Sequence, residues 1–388
     1  MALALETLRV VDADTHLTEA HDLWTSRAPA SLRDRVPHVV DVDGVATWMV
    51  DGRELGRAGG GGVIGRDGSK INAQTGLFEW TIEDVHRGAF DPAARLAMMD
   101  EAGVWAEVLF PNTIGLGGQG LAEVVEDEAF RLSLLQTYND ATGEIQAVSG
   151  DRLLPMGVLP SWDVAASVRE AERVAGLGHR GVNMTSDPQD QGAPDLASTA
   201  WDPLWEACAA LHLPVHFHIG ASQTAMTFFG NYPWPSQQED AALAIGGTLL
   251  FVGNARVVVN VIVSGLLDRH PTLKVVSVES GCGWIPFILE ALDYELHENA
   301  PARLAQLELR PSEYFRRQMY ATTWFERANV AQVVAAVGED NVMFETDFPH
   351  PTCLFPRPLE TAEQNLRDVP PAVQRKILGE NAAALYRI

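Results

Sequence analysis

The stretch "VVDADTHLTEAHDLW", Val10 to Trp24, decides how the rest of the chain is read. An apolar lead-in runs into Asp12, Asp14 and His16, spaced two residues apart. In an extended strand that spacing points all three side chains to one face. Ionisable groups buried at a strand end are costly unless a partner such as a metal ion compensates them. The stretch therefore reads as a first buried strand that ends in chemistry.

Working outward, short apolar runs alternate with longer helical patterns. The strand candidates are "LRVVDA" (8–13), "AEVLF" (106–110), "LLPMGVL" (153–159), "RGVNM" (180–184), "LPVHFHI" (213–219), "KVVSVE" (274–279), "MYATT" (319–323) and "VMFET" (342–346). Helix patterns between them include "DPAARLAMMDEAG", "WDVAASVREAERVAGLG" and "DPLWEACAAL". Asp91 and Asp202 each precede a proline, as an N-cap does before Pro at the first helical position. Eight strands alternating with helices predict an α/β protein, a closed (β/α)8 TIM barrel. The expected organisation is one barrel domain over 1–388 with an insertion at about 38–80. Within it, 38–55 reads as a hairpin around Asp43-Gly44. The glycine-rich 56–65 lacks the context of a phosphate loop and reads as an excursion over the barrel mouth. The aromatic-rich 222–240 reads as another long loop.

Composition bounds the partners. Of 388 residues, 52 are Asp or Glu and 28 Lys or Arg, a formal charge of −24. That field repels nucleic acid and anionic membranes, so neither is expected as a partner, and a small-molecule substrate is. "MALALETLRV" lacks the basic start and apolar run of a secretory signal, and apolar stretches such as 257–263 are too short to span a bilayer. Cys208, Cys282 and Cys353 lack CxxC spacing and read as reduced, buried thiols of a cytoplasmic protein.

In such a barrel, reactive side chains sit at the C-terminal strand ends. Those ends carry Asp12, Asp14 and His16, then His216 and His218, then Asp347. Imidazoles and carboxylates from different strands suit a divalent ion such as zinc or manganese, and a catalytic site leaves a position open on it. His216 has a second reading as a hydrogen-bonded core histidine, and Asp12 one as the support of a neighbouring ligand.

"DADTH" (12–16), "LPVHFHIG" (213–220), "HPTLKVVSVESGCGWIP" (270–286), "FETDFPHP" (344–351) and "KILGENAAALY" (376–386) occur in this order. With "DPAARLAMMDEAGVWAEVLFPN" and "PSEYFRRQMYATTW", they resemble the amidohydrolase-related enzymes grouped with aminocarboxymuconate semialdehyde decarboxylase, over nearly the whole chain. The resemblance implies a distorted (β/α)8 barrel, one divalent metal (zinc expected first, manganese second) and a homodimer. It places the metal on Asp14, His16, His218 and Asp347, with Asp347 also handling protons and His216 one layer deeper. Asp14 replaces the first histidine of the family's HxH. Glu279 stands where the family carries a catalytic histidine; an ionised glutamate accepts hydrogen bonds but cannot donate them, whereas one kept protonated by burial can.

That departure puts hydrolysis first: metal-activated water attacking the carbonyl of an amide, ester, lactone or activated C–C bond, with Asp347 and Glu279 as catalytic groups. Non-oxidative decarboxylation of an aromatic or unsaturated acid, or hydration of a double bond, is the alternative. A binding barrel without catalysis is a third class. Trp24, Trp324 and Phe325 read as a pocket wall or as packing, and His350 and Asn112 as groups able to reach a substrate.

Overall fold

The computed structural model describes residues 8–71, 80–230, 234 and 236–388. In chain order its strands are β1 (Val11–His16), β2 (His38–Val42), β3 (Val45–Val50), β4 (Arg53–Arg57), β5 (Ala106–Phe110), β6 (Leu153–Pro155), β7 (Gly157–Val158), β8 (Val182–Asn183), β9 (Val215–His218), β10 (Val275–Val278), β11 (Met319–Thr323) and β12 (Val342–Phe344). β1 is buried along its whole length, as a parallel strand covered on both faces must be.

β1, β5 and β6 form one parallel sheet, and β7 to β12 form a second in sequence order. Only Met156 separates β6 from β7. Its amide donates to the Leu109 carbonyl (3.0 Å) while the Gly157 amide donates to Gly181 (3.0 Å), which hands the ladder from one sheet to the next. A parallel bridge between Thr15 and Phe348 shuts the ring. The His16 amide donates to Phe348 (2.8 Å) and the Asp347 amide to Asp14 (3.0 Å) across that seam. This is the expected distorted (β/α)8 barrel.

Val11, Ala13, Val108, Val276 and Met343 form an inner cluster with Tyr386 of the last helix. A larger outer cluster packs strand residues such as Phe217 and Val275 against helix residues such as Trp205 and Val258. Each such side chain, fully buried, contributes about 1.5–3 kcal/mol. His216 belongs to this core: its ring contacts the Val182 carbonyl and the Tyr386 hydroxyl, both at 2.9 Å.

The insertion after β1 holds three antiparallel strands where two are expected, with β4 added across Asp51-Gly52. Both turn pairs, Asp43-Gly44 and Asp51-Gly52, have positive φ, as two-residue hairpins require. Trp48 of this sheet packs edge-on against Trp24, whose indole N–H donates to Leu134 (2.9 Å), so Trp24 is packing and not pocket wall. The glycine loop does cross the mouth. A Cβ on Gly60 would meet the Thr18 hydroxyl at 2.6 Å, and one on Gly61 the His350 ring at 3.4 Å.

Helix ends follow the sequence in part. Asp91 caps Pro92–Ala102, and Gly103 ends it in the left-handed conformation. Asp202 is instead the first residue of Asp202–Ala210, its carboxylate turned to Arg269 (2.9 Å) and His270 (3.1 Å). Residues 222–240 are not one long loop: helix Gln223–Gly230 starts there, and Glu239–Phe251 follows. Part of that expected loop, at 231–233 and 235, lies outside the described residues. The helical run Ala241–Val263 is long and apolar enough, by length and composition, to cross a membrane, which corrects the sequence expectation. Its C-terminal part packs on the barrel, with Val257, Val258, Val261 and Ile262 in the core and the Asn254 side-chain amide donating to Phe217 (2.9 Å); a third of the apolar window is buried.

Candidate active site

Asp14 and His16 end β1, His218 ends β9, Glu279 follows β10 and Asp347 follows β12. The structure brings all five together, fully buried or nearly so. His16 Nε2 lies 3.7 Å from Asp14 Oδ1, 3.7 Å from Asp347 Oδ1 and 3.9 Å from Glu279 Oε2. His218 Nε2 lies 3.5 Å from Asp14 Oδ1 and 3.2 Å from Glu279 Oε2. Yet both Asp14 oxygens, His16 Nε2, His218 Nε2 and Asp347 Oδ1 make no aligned hydrogen bond. Atoms this close that fail to bond one another face a common centre. Two imidazoles and three carboxylates form a nitrogen and oxygen donor set that fits a divalent cation.

Electrostatics gives the same reading. Burial pushes the Asp14 carboxyl up despite His218 beside it. Burial, then the negative charges of Asp347, Asp14 and Glu345, push Glu279 well above the usual carboxylate range. His16 is driven well below the usual imidazole range by burial and by its neighbours His350 and His218. For His218, burial opposes the charge and Asp14 outweighs it, so its pKa is raised. A cation among these groups relieves the repulsion between the carboxylates.

The supports are built into the seam. Asp12 does not face the centre. The β1–β5 register is irregular between Asp12 and Thr15, and Asp12 Oδ1 accepts from Asp14 N (3.2 Å) and Thr346 N (2.9 Å), tying β1 to the end of β12. His218 Nδ1 contacts the Ile219 carbonyl (2.9 Å), which leaves Nε2 as the free donor atom. Thr352 donates to Asp347 Oδ2 (2.7 Å), and His350 Nδ1 sits 3.0 Å from Asp347 Oδ1. The other His350 nitrogen meets Asn112 Oδ1 at 2.9 Å, so of the two polar residues singled out after β5 and β12, His350 lines the cavity and Asn112 is linked to it only through His350.

Sequence reasoning missed several supports. Glu345, fully buried, accepts from the Glu279 amide (3.3 Å), as does the Thr322 hydroxyl (3.1 Å). Arg95 pairs with Glu107 (2.7 Å) and donates to the His16 carbonyl behind the cluster. A helix pattern containing an arginine, followed by a strand containing a glutamate, was the available signal.

A cavity of about 270 Å³ opens onto Glu279, Asp347 and His350. A larger groove of about 420 Å³ lies behind β1, lined by residues such as Leu96 and Tyr138, and reaches none of the cluster. Chemistry, not size, picks the smaller one. Trp324 and Phe325 do not line it. They pack with Phe251, which does.

Over residues 11–388 the chain matches, and belongs to, the amidohydrolase family, and its barrel carries a donor cluster that could hold a divalent ion. A gamma-resorcylate decarboxylase from Rhodococcus jostii (strain RHA1) is 27% identical over 312 residues, 76% of this chain and 87% of that protein. The 5-carboxyvanillate decarboxylase of Sphingomonas paucimobilis is 26% identical, with a TM-score of 0.67 over 98% of this chain and 100% of its own. Two further solved structures share the fold. An amidohydrolase from Mycobacterium avium subsp. paratuberculosis K-10 has a TM-score of 0.76 at 20% identity, covering 98% and 99% of the two chains. A dihydroxybenzoic acid decarboxylase from Polaromonas sp. JS666, with bound manganese and 2-nitroresorcinol, has a TM-score of 0.63 at 18% identity, covering 98% and 97%.

Proposed function

We propose that this protein is a manganese-dependent carboxy-lyase that removes carbon dioxide from a small aromatic or unsaturated acid. The observation that carries metal dependence is the convergence of Asp14, His16, His218, Glu279 and Asp347 with unbonded donor atoms. Decarboxylation is preferred because relatives 26–27% identical over most of the chain are decarboxylases. This reverses the order expected from sequence, where Glu279 favoured hydrolysis. Manganese likewise moves ahead of zinc: the donor set is rich in carboxylates, and a structural neighbour holds manganese.

Asp14, His16, His218 and Asp347 would hold the ion, with Glu279 within reach of the same centre. Bound there, the ion supplies positive charge to neutralise and orient a substrate carboxylate. The chain's own residues manage the proton. The ring or vinyl carbon that bears the carboxylate takes a proton, its bond to the carboxylate breaks, and that electron pair restores the unsaturation as carbon dioxide leaves. Asp347 is placed to deliver the proton, its far oxygen held by Thr352. His350, 3.0 Å away and less buried, is placed to replenish it.

The test is to incubate manganese-loaded protein with aromatic and unsaturated acids in heavy-oxygen water, following carbon dioxide and product mass together. Stoichiometric carbon dioxide and a product without solvent oxygen is the expected result. Solvent oxygen in a cleaved acyl product would return hydrolysis to first place.

A further inference from the structure

The cavity above the cluster is walled by Leu116, Ile219, Met226, Leu243, Leu250 and Phe251. Among the described lining residues there is no lysine, arginine, amide or tyrosine. Its polar groups all lie on the floor, and they are committed: Thr352 to Asp347, His350 to Asn112 and Asp347, and Glu279 beside His218. Leu116, Met226 and Leu250 meet over Gly220. A Cβ added there would lie 3.0 Å from Met226 Sδ, 3.3 Å from Leu116 Cδ1 and 3.8 Å from Leu250 Cδ2, and φ is +65°. The chain leaves this corner to side chains that are wholly apolar.

Such a wall discriminates. A second carboxylate on the substrate would lose its water against leucine and methionine and find no cationic side chain in that wall, the ion of the floor being taken by the reacting carboxylate. An uncharged alkyl group would gain the burial energy instead. At about 270 Å³ the cavity is at or below the small end of small-molecule sites, roughly 300–1,000 Å³, which suits a single ring or short chain. Resting on the carboxy-lyase reading, we propose that the substrate carries one carboxylate only, on an uncharged, apolar body, and that Leu116, Met226 and Leu250 select that body.

The test uses binding rather than turnover. In an ortho-nitrophenol the nitro group stands in for the reacting carboxylate and cannot leave. Two probes differ only at the para position: one carries propyl, the other a carboxylate. Calorimetric titration of manganese-loaded protein should show the propyl probe binding about tenfold tighter or more, since a buried unpaired charge costs several kcal/mol. Leu250→Arg should shrink or reverse that preference by giving the carboxylate a partner. Equal or tighter binding of the carboxylate probe to the unmodified protein overturns the inference and leaves the carboxy-lyase reading intact, and failure of both probes to bind overturns it as well. Binding of the propyl probe, with no carbon dioxide from the corresponding acids, overturns the carboxy-lyase reading while the apolar selection stands.

Discussion

Glu279 and Asp347 both hang from left-handed backbone, with φ of +54° and +59°. For a non-glycine residue this costs of order 1–3 kcal/mol. The strain is held by neighbours: Thr322 and Glu345 bond the Glu279 amide, and the Asp14 carbonyl bonds that of Asp347. Asp347→Asn keeps this shape and removes the carboxylate. It should fold normally and lose about a hundred- to ten-thousand-fold in carbon dioxide release. Near-native turnover would exclude Asp347 as proton carrier. His16→Ala removes an imidazole from the shell and should purify without stoichiometric metal. Full retention would move the ligand assignment elsewhere. Glu279→Gln keeps the backbone strain while deleting the charge, so metal analysis of that variant separates two roles. Loss of metal makes Glu279 a ligand, retention with slowed turnover makes it a substrate contact, and native turnover removes it from the mechanism.

At the scale of elements, the pair Arg95 and Glu107 joins helix Pro92–Ala102 to β5 and backs the His16 carbonyl from inside the protein. Removing one partner of a buried pair strands the other's charge. Arg95→Leu should therefore cost about 3–5 kcal/mol in urea unfolding, far more than an exposed pair would. A loss under 1 kcal/mol, roughly, would mean that solvent reaches the pair. The elements also show what the sequence made legible. The barrel strands were readable because their apolar runs are buried from both sides. Asp14, His16, His218 and Asp347 were readable because they end those runs. Glu345, Thr352 and Arg95 were not, because their roles exist only once strands far apart in sequence close the ring. Helix Gln223–Gly230 was missed because aromatic residues, glycine and prolines crowd 228–235, although Ser222, whose hydroxyl accepts from Ala225 N (2.8 Å), was a visible start signal.

For the whole molecule, strands β1 and β12 meet at the seam, and the cluster's carboxylates repel one another there. Metal should thus hold the barrel shut as well as serve its chemistry. Chelation should lower the melting temperature, and added manganese should restore it, the gain growing with the logarithm of its concentration over Kd. Since protons compete with metal for carboxylates and imidazoles, the rise on adding manganese should be larger at about pH 8 than at about pH 6. A pH-independent rise would place the ion on other groups. The most direct measurement is anomalous diffraction at the manganese edge from crystals of the loaded protein. One strong peak per chain is expected, within bonding distance of Asp14, His16, His218 and Asp347. A peak elsewhere, or none in protein that releases carbon dioxide, would contradict it.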